Sequence, residues 1–202
     1  MITNVQRESF KTLNISKDWT LFLDRDGVIN KKIEGDYVRN WKQFKFIPGV
    51  IEALNILRNI FGKIIIVTNQ RGIGRGLMSH EDLETIHKKM LSIFEKEGVY
   101  IDAIYYCPHD PNKEICNCRK PKVGMALKAK KDFPEIDFAK AIMVGDSLSD
   151  MEFAYNAGMK GVFIKGKYSI DITNNSHILK RMDIIGIYNS LYEFAKDLKK
   201  NV

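Results

Sequence analysis

The chain has 202 residues, 45% hydrophobic and 28% charged, which suits one globular domain and excludes a disordered or fibrous protein. A formal net charge of +7 reads as Lys spread over solvated helix faces with a basic tail at Lys199 and Lys200, or as a field that attracts anionic substrates; Lys and Arg are dispersed rather than blocked, which argues against nucleic acid. No apolar run reaches the roughly 18 residues that span a bilayer, and the polar stretch 1–18 lacks the apolar core of a secretory signal. A cytoplasmic protein without membrane or nucleic-acid partners is expected.

Trp19 to Leu23 is a short apolar run ending in Asp24-Arg-Asp-Gly27, the pattern of a buried strand that delivers acids at its carboxyl end. Val28 to Phe46 reads as a loop or small hairpin flap. Pro48-Gly49 opens a helix to about Ile60, and Lys63 to Thr68 is a second buried strand leading into Gly-rich 69–76. Ser79, with Asp82 three residues on, predicts a capped helix that runs to about Lys96 and stops at Gly98.

Ile101 to Tyr106 is a third strand, and it feeds a loop that holds all three cysteines. A helix over 124–132, a strand over 140–145 and a helix from Leu148 that stops at Gly158 follow. A fifth strand over 161–165, a late strand near 183–187 and a helix over 191–198 finish the chain. Alternating apolar strands and helices predict an α/β fold, a Rossmann-like parallel sheet with helices on both faces. Ligands of such sheets sit beyond the carboxyl ends of the strands. Asp24 and Asp26, Thr68 and Asn69, and Asp146 all fall at such ends.

Two carboxylates two residues apart, Asp24 and Asp26, suit phosphoryl transfer: one attacks phosphorus, the other moves protons. A solvated turn is the plainer reading. Thr68 and Asn69 offer donors to phosphate oxygens, or simply end a strand. Arg119 and Lys120 supply cations that neutralise a phosphate, or form a basic turn. Asp146 offers a hard oxygen to Mg2+; Asp150 either joins it or serves the helix start that follows. Cys107, His109, Cys116 and Cys118 satisfy a tetrahedral Zn2+ with no open position, so that metal would be structural.

The pieces Asp24-Arg-Asp-Gly-Val-Ile-Asn30, Thr68-Asn-Gln-Arg-Gly-Ile-Gly-Arg-Gly76, Cys107-Pro-His109 with Cys116-Asn-Cys-Arg-Lys-Pro121, and Val144-Gly-Asp146 together resemble the haloacid dehalogenase-like phosphatase superfamily. Within it they resemble the branch of the D-glycero-D-manno-heptose 1,7-bisphosphate phosphatases, with the histidinol-phosphate phosphatases beside it. The resemblance covers about 19–167. It implies Asp24 as nucleophile and Asp26 as general acid/base. It implies phosphate binding by Thr68, Asn69, Arg119 and Lys120. The Mg2+ ligands would be Asp24, the Asp26 backbone carbonyl and Asp146. It implies a capless fold with an open site beside the zinc loop 107–118, within a single domain 1–202 that has an extension at 1–18.

The loop Arg71-Gly-Ile-Gly-Arg-Gly76 looks like the heptose side of the branch, whereas Ser147 departs from it, standing where heptose members often have Lys. The resemblance implies hydrolysis of the C7 phosphate of heptose 1,7-bisphosphate through an aspartyl phosphate, with a small phosphorylated sugar as partner; a monomer is expected. The alternatives are histidinol phosphate or another small sugar phosphate, a polynucleotide end-phosphatase and, from another class, an inactive zinc-stabilised nucleic-acid-binding module.

Overall fold

A computed structural model describes residues 10–165 and 182–202. The first nine residues of the expected N-terminal extension lie outside it. A short helix α1 (Phe10–Leu13) precedes the first strand, β1 (Thr20–Leu23). Then come α2 (Val50–Ile60), β2 (Lys63–Asn69), a single turn α3 (Arg71–Gly74), α4 (His80–Lys96) and β3 (Ala103–Cys107). The second half holds α5 (Gly124–Asp132), β4 (Ala141–Gly145), α6 (Leu148–Ala157), β5 (Lys160–Ile164), β6 (Ile184–Tyr188) and α7 (Leu191–Lys199).

The six strands form one sheet in the order β3-β2-β1-β4-β5-β6, and every pairing is parallel. β1 lies at the centre, with Leu21 opposite Ile64 of β2 and Ile142 of β4. From β1 the chain moves outward through β2 and β3, then returns to β1's other side as β4. This reversal opens a crevice between the carboxyl ends of β1 and β4. Asp24 and Asp146 follow those two ends.

Both faces of the sheet are apolar, as helices on both sides require. Leu21, Leu23, Ile64, Ile66, Ile142 and Val144 pack with the buried sides of α2, α4 and α7. Phe22, Ile65, Val67, Ala141 and Met143, one residue out of step, pack with α5 and α6. Truncating a fully buried side chain such as Leu54 to Ala costs about 2–5 kcal/mol.

The Ser79 cap predicted for α4 is present: Asp82 N donates to Ser79 Oγ at 3.1 Å, and Ser79 N to Asp82 Oδ2 at 2.9 Å. The segment 24–49 contains bridges rather than a full hairpin, pairing Asn30 with Asp26 and with Phe46. An aromatic group pins it to the core: Trp41 stacks on Phe44 at 4.9 Å, and Phe46 meets Phe94 of α4 at 5.5 Å. No cap domain interrupts this segment, in keeping with the expected capless architecture.

Candidate active site

Three carboxylates converge where β1 and β4 end. One oxygen each from Asp24, Asp146 and Asp150 lies within 4.8 Å of the others. All three residues are buried. Gly27 makes the approach possible: its φ is +96°, and a Cβ there would sit 1.9 Å from Asp146 Oδ2. Burial pushes the Asp24 carboxyl up to about 7, with Lys120 opposing and the Asp150 and Asp146 charges adding to the rise. Asp146 is raised to about 6, again chiefly by burial, with Lys32 opposing. Carboxylates so crowded call for cations.

Two lysines answer. Lys120 Nζ lies 2.8 Å from Asp24 Oδ1, 2.6 Å from Asp150 Oδ1 and 2.8 Å from the Val67 carbonyl. Lys32 Nζ donates to Asp146 Oδ1 at 2.6 Å. The oxygens of Asp24 and Asp146 also suit Mg2+, which takes a few carboxylates and completes its shell with water and phosphate. Asp150 is turned inward: its Oδ2 accepts from Ser147 N at 3.0 Å in the capping box of α6, and its charge pairs with Lys120.

Asp26 is half-buried and held by three donors. Arg25 Nη2 reaches Oδ1 at 3.0 Å and Oδ2 at 2.8 Å. Asn30 Nδ2 donates to Oδ1 and Gln70 Nε2 to Oδ2, each at 2.8 Å. Burial would raise this carboxyl, but the Arg25 charge and these hydrogen bonds hold it below the usual carboxylate range. It therefore carries its charge in the free protein, and an anion brought beside it would raise it again by like-charge repulsion.

The other predicted residues gather around the same crevice with distinct tasks. Thr68 is buried, and its Oγ1 accepts from Gln70 Nε2 at 2.8 Å. The Asn69 amide closes on the Lys120 main chain, donating to its carbonyl at 3.2 Å and accepting from its N–H at 3.0 Å. Asn69 thus places Lys120. Arg119 Nη1 is buried with no hydrogen-bond partner among the described residues, the kind of donor that a phosphate oxygen satisfies.

Just before Arg119, the Cys/His loop folds into a cluster. Cys107 Sγ lies 3.6 Å from both His109 Nδ1 and Cys116 Sγ, and His109 Nδ1 lies 3.1 Å from Cys118 Sγ. Tetrahedral zinc with ligands at about 2.3 Å separates sulfurs by about 3.8 Å, so the donor set and its spacing both fit. No disulfide ties these thiols. The loop is bound to the second motif: Gln70 N donates to the Cys107 carbonyl at 2.7 Å, and Arg71 Nε to Asp110 Oδ1 at 2.7 Å.

A family model described as "Polynucleotide kinase 3 phosphatase" matches residues 5–165. A D-glycero-alpha-D-manno-heptose-1,7-bisphosphate 7-phosphatase of Mycobacterium bovis is 48% identical over 182 residues, 88% of this chain and 90% of that protein. The chain belongs to the heptose 1,7-bisphosphate 7-phosphatase family of haloacid dehalogenase-like phosphatases. The D-glycero-beta-D-manno-heptose-1,7-bisphosphate 7-phosphatase of Escherichia coli K12 is 41% identical over 155 residues, 73% of this chain and 80% of that one. A crystal structure of the D,D-heptose 1,7-bisphosphate phosphatase from B. bronchiseptica, complexed with magnesium and phosphate, superposes with a TM-score of 0.76. It is 29% identical and covers 91% of this chain and 99% of that chain.

Sequence reasoning misses several residues that the fold brings to this crevice or to the side chains that line it. Asn30 and Gln70 sit inside the quoted motifs, next to residues that draw attention, yet both hold Asp26. Lys32 carries no signal, since nothing in a polar loop announces which lysine returns to the crevice. His87 does carry one. It occupies the buried stripe of α4 with Leu83, Ile86, Met90 and Phe94, and an imidazole on an apolar face needs a partner.

Proposed function

We propose that the protein is a magnesium-dependent phosphatase that removes the C7 phosphate of D-glycero-D-manno-heptose 1,7-bisphosphate. The observation that carries this reading is the convergence of Asp24, Asp146 and the Lys120 ammonium at two adjacent strand ends. Asp24 Oδ attacks phosphorus while the bond to the leaving sugar oxygen breaks, and Asp26, having taken a proton from the arriving phosphate monoanion, passes it to that oxygen. Asp26 then takes a proton from water, whose oxygen displaces Asp24 from phosphorus and frees inorganic phosphate. Mg2+ held by Asp24, Asp146 and the Asp26 carbonyl would neutralise charge on the phosphoryl group. Thr68, Arg119 and Lys120 would hold the phosphate, and Cys107, His109, Cys116 and Cys118 a structural zinc.

The substrate assignment draws on the relatives named for this reaction. A cavity of about 410 Å3 beside Asp146, lined by Gly27, Lys31, Lys32, Pro48 and Lys165, suits a small anionic sugar. No helix among the described residues is long and apolar enough to cross a membrane. We place the enzyme in the cytoplasm, as a monomer. The test compares turnover of the α- and β-heptose bisphosphates with histidinol phosphate and a 3′-phosphorylated oligonucleotide. The bisphosphate is expected to lead, and Asp24→Asn to abolish its turnover. A mutant at the wild-type rate would refute the mechanism. A faster oligonucleotide would move the substrate to the class for which the matching family model is described.

A further inference from the structure

Arg25 is the largest wholly buried side chain among the described residues. It lies between two residues of the site, Asp24 and Asp26, yet cannot touch substrate itself. A guanidinium keeps its charge, so burying one is costly unless its donors are met. Here Nη2 spans both oxygens of Asp26, at 3.0 and 2.8 Å, and Nη1 lies 3.1 Å from His87 Nε2. Nε has no partner among the described residues. The whole brace therefore depends on two contacts, one to Asp26 and one to α4.

Packing alone does not ask for histidine at position 87, where its neighbours on the buried stripe are Leu, Ile, Met and Phe. The imidazole adds an acceptor. Burial and the adjacent Arg25 charge push it down to about 3, so at neutral pH it is uncharged. An Nε2 that accepts from Arg25 puts the ring proton on Nδ1. The Tyr106 ring lies edge-on beside it, centroids 6.3 Å apart. Asn30 and Gln70 each hold one oxygen of Asp26, whereas Arg25 holds both and so fixes the rotation of the carboxylate.

The geometry points to a positioning pair: Arg25, braced by His87 from α4, sets the carboxylate of Asp26 in the orientation from which it exchanges protons. The inference rests on the acid/base role given to Asp26 under the proposed function. Without the His87 acceptor, Nη1 is a buried donor with no partner and the guanidinium turns to find one. The contact to both Asp26 oxygens is then lost. Phosphate binding, which uses other residues, is untouched.

The test uses two substrates in the magnesium-loaded full chain. A sugar phosphate needs a proton on its leaving oxygen; 4-nitrophenyl phosphate, with a stable leaving anion, does not. His87→Leu is expected to lower kcat/KM on the sugar phosphate, which covers only the steps up to departure of the leaving oxygen and not the shared hydrolysis of the aspartyl phosphate, about tenfold or more. The fall with 4-nitrophenyl phosphate is expected to be much smaller. His87→Gln, whose amide oxygen can stand near the place of Nε2, is expected to restore the ratio of the two rates. His87→Asn, polar but too short to reach Arg25, takes the place of Leu should Leu fold poorly, and is expected to show the same selective loss on the sugar phosphate. Parallel losses on both substrates, or a wild-type ratio in the Leu and Asn variants, would overturn the positioning role. Asp26→Asn is run beside them. Its turning over the sugar phosphate at the wild-type rate would refute the acid/base reading itself, a result separable from failure of the His87 series.

Discussion

The Lys120 ammonium lies 2.8 Å from Asp24 Oδ1, and both side chains are almost wholly enclosed. One contact thereby joins the residue two places after the Cys/His loop to the end of the central strand. Burial would strip the ammonium of its proton, but Asp150 and Asp24 raise it well above the ordinary lysine range. Lys120→Met leaves two enclosed carboxylates without their cation. Removing one partner of such a cluster is expected to cost about 3–5 kcal/mol. Urea unfolding of the metal-free protein measures this, and an unchanged midpoint with unchanged slope would contradict it. Turnover is expected to fall at least about a hundredfold, since a buried charge aimed at a phosphoryl site is worth that much.

The same contact gives the Cys/His cluster a catalytic consequence. Cys118 lies two residues before Lys120, and Asn69 holds the Lys120 main chain at both its N–H and its carbonyl. Cys116→Ser removes a ligand from the cluster. Zinc content measured by mass spectrometry is expected to fall from about one ion per chain, as four protein donors predict. The loop is expected to lose protection in hydrogen exchange, and kcat to fall although no cluster ligand touches substrate. Full zinc content in the serine variant would contradict the ligand assignment.

Lys32 sits differently. Its side chain is 38% exposed, and its Nζ holds Asp146 at the rim of the crevice rather than beneath it. A divalent cation on the same oxygens must displace it, so Lys32 competes with the metal. A partly exposed pair of this kind is worth roughly 0–1 kcal/mol. Lys32→Met is therefore expected to tighten Mg2+ binding up to about fivefold in calorimetric titration without substrate. Weaker Mg2+ binding in the variant would contradict the competition.

These residues also mark where the sequence stops being readable. The strands are legible because both faces of a parallel sheet are apolar, so runs such as Lys63-Ile-Ile-Ile-Val-Thr68 leave little choice. Asp24, Asp146 and the Cys/His cluster are legible because acids gathered at strand ends, and cysteines crowded into one loop, serve few purposes besides holding cations. Asn69 reads as a phosphate donor, but its amide is already committed to the Lys120 backbone, a pairing across 51 residues that no local pattern carries. Local pattern leaves Asp150 open between metal ligand and helix start. The fold gives it both the cap of α6 and the Lys120 charge, because a Cβ on Gly145 would lie 2.2 Å from its own Cβ. Lys32 and His87 reach the site only through tertiary packing.

His87 makes a last prediction, independent of catalysis. Its imidazole falls from the ordinary 6.5 to about 3, by burial and by the Arg25 charge. The unfolded chain takes up a proton there below about 6.5, whereas the folded chain refuses one until about 3. Acid therefore favours the unfolded chain: the contribution to stability is fully present above about pH 6.5 and is lost progressively as the pH falls toward 3. At pH 5 the loss from this one group is about 2 kcal/mol. His87→Gln removes the titration and keeps an acceptor for Arg25. Urea unfolding at pH 7 and pH 5, at matched ionic strength, is expected to show the variant losing about 2 kcal/mol less than the wild type. The buried carboxylates titrate alike in both proteins and cancel in the comparison. Equal losses would mean that the folded chain accepts a proton at His87 as readily as the unfolded one, which its contact with the Arg25 charge forbids.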